Sequence, residues 1–151
     1  MLTEHFSLRE MCRSSVADRL DINNTPPSLA SDNMIVLCEN ILEPIRKHWG
    51  IPFSPLSGYR SIDLNRAIGS RDNSQHILGE AVDLEMPAVS NLDLAKWVER
   101  ELEYDQLLLE FFVEDDPSSG WVHISFRRKD PPTNRMQSAW YSGEKWRVGL
   151  P

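Results

Sequence analysis

The chain has 151 residues, 40% of them hydrophobic, and a net charge of −7 at pH 7. That is the length and balance of one globular domain, residues 1–151, able to bury a core without staples. The negative charge argues against general nucleic-acid binding, and no run approaches the roughly 20 apolar residues of a membrane-spanning helix.

The opening residues, MLTEHFSLREMC, lack a basic segment followed by an apolar one. No secretory signal is read there, so the protein is expected to be made in the cytoplasm and to need separate release to act outside it. Ser7 followed by Glu10 is a capping box that starts a helix near Leu8. That helix should fade before the Asn23-Asn24-Thr25-Pro26-Pro27 break, which reads as a turn or linker. Residues 32–49 read as the main core helix, with Ser31 as N-cap. Met34, Leu37, Cys38, Ile41, Ile45 and Trp49 lie on one face. Pro44 should kink this helix and Gly50 should end it. Cys12 and Cys38 show no metal-binding spacing and are expected to be buried free thiols.

Pro52 to Tyr59 reads as extended. A second helix opens after Ser61, and a third after Ser90 with Leu94, Trp97 and Val98 inward. Ala81–Met86 alternates as a strand. Gln106–Val113 and Trp121–Phe126 are apolar runs separated by turn chemistry, and should form an antiparallel hairpin with a loop of about seven residues. The fold class is α+β, a small antiparallel sheet flanked by helices. A helical part to about residue 50 precedes a core to about 126. The tail 127–151 carries six basic and two acidic residues, so the first 126 residues carry −11 and the tail +4. This tail is expected to wrap the acidic body, with Trp140, Tyr141 and Trp146 packing back on it; carbohydrate stacking is the sharper alternative for those rings.

Of four histidines, His5 and His48 sit at helix ends and read as surface or capping residues. His76 lies in SQHILGEAVD, where a glycine turn separates it from a strand carrying Asp83. Gly79 permits the reversal that lets imidazole and carboxylate converge. Period-two alternation puts Asp83 and Glu85 on one strand face, and His123 with Trp121 and Ser125 on one face of the later run. Two histidines and a carboxylate would make a three-ligand zinc site with an open position. Taken separately, His76 with Asp83 also fits a hydrogen-bonded pair in a turn, and His123 a core histidine satisfied by a carbonyl.

Three separated segments together resemble one family. SQHILGEAVD is similar to the S-x-H-x-x-G-x-A-x-D signature of the zinc D-alanyl-D-alanine carboxypeptidases, WVHISF to their third-ligand strand, and Ser57-Gly58-Tyr59-Arg60-Ser61 to their S-G-[YF]-R segment. The resemblance covers roughly residues 30–126 and implies the fold shared by hedgehog signalling domains and D,D-peptidases. It implies Zn²⁺ as cofactor, with His76, Asp83 and His123 as ligands. Arg60 is implied to bind a substrate carboxylate or carbonyl, a role suited to its guanidinium fork. Ser74 either bonds substrate or caps its turn, and the Trp121 ring would wall the cleft. The implied substrates are stem peptides of bacterial peptidoglycan, cut by a monomeric carboxypeptidase or endopeptidase of phage or prophage lysis type, at the cell wall or periplasm. A non-catalytic zinc-containing wall-binding or virion module is the alternative.

Many members of that family place an acidic or histidine base two or three residues before the last ligand. Here those positions are Gly120 and Trp121. The replacement expected is Glu110, the only charge in QLLLEFFV. If Phe112 pairs with Trp121, Glu110 stands opposite His123, and a register slip of two leaves it on the same face. Burying that carboxylate unpaired would cost several kcal/mol. Glu110 is therefore expected to be the general base, against a simple pairing with Arg60 or Arg66. Glu85, Glu114, Asp115 and Asp116 stand in reserve.

Overall fold

The computed structural model describes residues 1–128 and 133–151. The capping box at Ser7 starts α1 (Leu8–Cys12), with the Glu10 amide bonded to the Ser7 hydroxyl and the Glu10 carboxylate returning to the Ser7 amide. Ser14 caps a separate short helix, α2 (Ser15–Leu20).

The core helix differs from the sequence expectation at both its start and its bend. It begins at Ser28, as α3 (Ser28–Leu37), with Pro27 rather than Ser31 at the N-cap. The fixed φ of proline suits that junction. The chain then widens into a π-turn (Cys38–Leu42) before α4 (Glu43–Trp49), in which Pro44 falls in the first turn. Proline supplies no amide to the ladder, and a wide turn just before it absorbs the misfit. Met34, Leu37, Cys38, Ile41 and Ile45 are fully buried, while Trp49 packs at the edge of the core. Both cysteines are free thiols; Cys38 is buried, and Cys12 is partly exposed. Burial pushes them up to about 12 and about 11 respectively.

Ser61 and Ser90 cap α5 (Ile62–Ala67) and α6 (Asn91–Glu101) as the sequence predicts. The segment expected to be extended before α5 forms no strand; it touches β1 (Ala81–Leu84) through a single bridge, Ser57 to Asp83. The remaining strands are β2 (Gln106–Glu110), β3 (Trp121–Ser125), β4 (Gln137–Tyr141) and β5 (Trp146–Val148). They form one sheet in the order β1-β3-β2-β4-β5.

The architecture is α+β, as expected, but the sheet is mixed. The tail adds β4 parallel to β2 and β5 antiparallel to β4. Trp140 is buried on the core side, whereas Tyr141 and Trp146 lie on the opposite face. Among the described basic residues of the tail, Arg127 and Arg135 pair with Asp105, Arg128 with Asp32 and Arg147 with Glu114. Lys129 and Asp130 lie outside the described residues.

The β2–β3 hairpin pairs Glu110, not Phe112, with Trp121, which sets Leu108 opposite His123. The register is shifted by two from the expectation, and the loop runs from residue 111 to 120. Phe111 ends β2 by adopting φ 55°. The loop then builds its own turn, in which the Ser119 hydroxyl accepts from the Val113 amide at 2.7 Å and donates to the Asp116 carbonyl at 2.6 Å. An even shift preserves faces. Val82, Leu84, Leu107, Leu109, Val122 and Ile124 are fully buried on one side of the sheet. Asp83, His123, Glu110 and Trp121 share the other.

Candidate metal centre

Register alone brings the second and third polar groups together. Asp83 on β1 is the ladder partner of His123 on β3, so their side chains rise side by side from one sheet face. The Asp83 Oδ1 lies 2.9 Å from His123 Nδ1 and 3.3 Å from His76 Nε2. One ligand atom from each of the three residues falls within 4.8 Å of the others. All three side chains are buried, with residue exposures of 3% for His76, 8% for Asp83 and 9% for His123.

His76 arrives from a loop, and the loop is fixed from several sides. Its Nδ1 lies 2.6 Å from the Gly58 carbonyl, to which it donates when Nε2 is the free ligand atom. Such a bond sets the tautomer and ring orientation of a ligating histidine. Gly58 must be glycine, because a Cβ there would collide with the Met11 carbonyl. Gly79 turns the chain toward β1 with φ +71°, where a Cβ would strike the Ala30 carbonyl. Next to His76, the Gln75 amide donates to Asp105 Oδ2 at 3.0 Å.

The second oxygen of Asp83 is also engaged. Arg60 Nη2 donates to Oδ2 at 2.7 Å, and Arg60 Nε donates to the Ser57 hydroxyl at 2.9 Å. The charge state follows from these contacts. Burial acts to raise the Asp83 pKa, but His76 and His123 together hold it well below the usual carboxylate range. Burial pushes His76 below the usual imidazole value and favours its neutral form. A carboxylate and a neutral imidazole are the protonation states that a metal requires of its ligands.

The cleft above these residues has a volume of about 510 Å³ and gathers Arg60, Ser74, His76, Asp83, Glu110, Trp121 and His123 on its walls. Glu110 makes no side-chain hydrogen bond or ion pair among the described residues. Burial pushes its pKa up, and the charge of His123 acts in the opposite direction. Arg66, one suggested partner for Glu110, pairs instead with Asp72 at 2.7 Å. Ser74 lines the cleft, and its hydroxyl accepts from the His76 amide at 3.4 Å, the turn-capping contact of the two alternatives. Glu85, Glu114, Asp115 and Asp116 are exposed and do not line this cleft. His5 pairs with Glu43 at 2.7 Å, and His48 stacks on Trp97 with centroids 4.5 Å apart.

Three supporting groups escaped the sequence reading: Ser57, Gln75 and Asp105. Asp105 is fully buried and receives Arg135 at 2.6 Å and Arg127 at 3.0 Å. An acid at the head of an apolar strand was the signal available for it.

Two imidazoles and one carboxylate converging in an open cleft form the donor set of a catalytic rather than a structural zinc site. The comparison of sequences agrees with that class. The Peptidase M15 profile matches residues 4–125, and the chain belongs to this family, the zinc D-alanyl-D-alanine carboxypeptidase family of metallopeptidases. No curated protein matches the sequence.

Proposed function

We propose that this protein hydrolyses peptide bonds in the D-residue-containing stem peptides of bacterial peptidoglycan. It would act as a monomeric D,D-carboxypeptidase or murein endopeptidase, at the cell wall or periplasm, in phage or prophage lysis. The observation that carries the reading is the placement of one unpaired carboxylate, Glu110, in the same cleft as the His76–Asp83–His123 set. Glu110 is the ladder partner of Trp121. It thereby supplies an acid beside the position, two before the last ligand, where this chain has no basic or acidic side chain of its own.

His76 Nε2, Asp83 Oδ1 and His123 Nδ1 would hold the metal. A zinc ion held there supplies Lewis acidity, which polarises a carbonyl and makes water a better acid. Glu110, ionised, takes a proton from the attacking water and delivers it to the leaving amine. Burial of Glu110 strengthens it as a base. Arg60 fixes Asp83 through Nη2, and its Nη1 is the atom left to take a substrate carbonyl or carboxylate. Trp121 walls the cleft, and Ser74 holds the His76 loop while facing substrate.

The test is release of new amino groups from purified peptidoglycan, with and without a chelator and added zinc, with mass spectrometry of the fragments. Chelator-sensitive release is expected, and the masses name the bond. A protein that binds one zinc and releases nothing would overturn the reading.

A further inference from the structure

The cleft continues into a strip of aromatic rings. The ladder pairs Trp121 with Glu110, Glu110 with Tyr141, and Tyr141 with Trp146. These four residues therefore form one row across β3, β2, β4 and β5, on the face that carries Asp83 and His123. Phe111 closes the only gap between the rings. Its left-handed backbone, φ 55°, takes it out of strand alternation and sends Phe112 into the core instead. The Phe111 ring then meets Trp121 with centroids 5.0 Å apart and Tyr141 at 5.2 Å. Tyr141 stacks on Trp146 at 5.0 Å, the planes 26° apart. Three strand spacings make a strip about 14 Å long.

Core packing does not account for this strip. Phe111 is 47% exposed and Trp146 52%. A bulky residue in the left-handed region is strained, and such strain gathers at functional sites. The hairpin of β4 and β5 is secured from its other face, where Arg147 lies 4.4 Å above the buried Trp140 ring and pairs with Glu114 at 3.0 Å.

We propose that the strip binds the glycan strand of the substrate polymer, a β-linked chain of N-acetylhexosamines, with sugar faces stacked on the exposed rings of Phe111 and Trp146, and with Tyr141 between them holding Trp146. This rests on the peptidoglycan reading above. A stem peptide seated in the metal cleft is covalently joined to such a chain, which must leave across an adjoining surface. The strip begins at that cleft, in Phe111 and Trp121. Pyranose rings present apolar C–H faces with partial positive charge, which match the negative face of an aromatic ring. Exposed apolar strips of this kind mark binding grooves.

The test uses the full chain and Trp146→Leu, which keeps an apolar side chain beside Tyr141. Calorimetric titration with the peptide-free tetramer of N-acetylglucosamine should show binding that weakens at least fivefold in the variant. The ratio of kcat/KM on glycan-attached stem peptide to that on free stem peptide should fall by a similar factor. Trp146→Tyr should restore both. No tetramer binding by the unaltered chain would overturn the proposal, as would an unchanged ratio in a folded Trp146→Leu. If Trp146→Leu does not fold, the titration of the unaltered chain and of Trp146→Tyr decides. A chain that binds tetramer through Trp146 but cuts no stem peptide would overturn the peptidase reading and leave the strip standing. Chelator-sensitive cleavage with no preference for attached glycan would do the reverse.

Discussion

Arg60 Nη2 sits 2.7 Å from Asp83 Oδ2, while Asp83 Oδ1 faces both histidines. One carboxylate is thus shared between a cation behind it and the ligand cluster in front. The guanidinium orients the carboxylate through that bond. Replacing such an outer partner of a ligand typically costs 10–100-fold in metal affinity or activity. Arg60→Gln is expected to weaken zinc binding by about that factor, measured by competition with a chromophoric chelator. Unchanged affinity with raised KM would assign Arg60 to substrate alone.

Glu110→Gln should retain one zinc and lose turnover by at least about 100-fold, the lower end of what a general base contributes. In the unaltered protein, partial burial raises the pKa of the half-buried Glu110. A base works only when ionised, so kcat/KM should rise with pH through a value above that of an ordinary glutamate. A pH profile flat down to pH 4 would sink the assignment.

The expectation and the structure part company at identifiable places. His76, Asp83 and His123 come together as the sequence expects, Arg60 meets Asp83 where the family resemblance pointed, and Glu110 lines the same cleft because face parity survives an error of two in register. The register itself was not legible. It depends on Phe111 leaving the strand and on hydroxyl bonds from Ser119, neither of which leaves a periodic trace. The tail was half legible: its arginines do turn toward acids, but nothing in QSAWY announced a parallel pairing with β2. A parallel partner is chosen by tertiary packing, and Asp105 draws Arg127 and Arg135 to the head of β2.

Asp105 makes a pH prediction with a definite sign. Burial acts to raise its pKa, but Arg135 foremost, with Arg127, holds it below the ordinary carboxylate value. A folded pKa below the unfolded one contributes stability at pH above about 3.9, lost as pH falls through the folded value. Asp105→Asn should destabilise the protein by about 3 kcal/mol at neutral pH, the scale for breaking a buried pair. It should also flatten the acid limb of the stability curve. Denaturant melts at pH 7 and pH 3 measure both.

Zinc should stabilise the fold as well as the reaction. A ligand that binds only the folded state adds about 4 kcal/mol at roughly 1,000 times its Kd. Thermal melts with excess chelator should fall by several degrees and recover on adding zinc. His123→Ala should melt identically with and without the metal.

Gly79→Ala should lose zinc affinity together with stability, by about 1–3 kcal/mol, because φ +71° and the Ala30 carbonyl both exclude a methyl group. A variant that melts and binds zinc like the parent would show that the turn can re-form elsewhere.

The two arginines that meet Asp105 come from beyond residue 125, where the family match stops. A chain cut after Ser125 would keep all three candidate ligands and still be handicapped. Asp105 would stay buried without its cations, Gln75 would hang from an unstable acid, and β2 would gain a bare edge. The segment carrying the candidate ligands is therefore not a portable module. Grafting it into another protein requires carrying the tail along, and any shortened form for expression should end after β5 rather than at the motif's last residue.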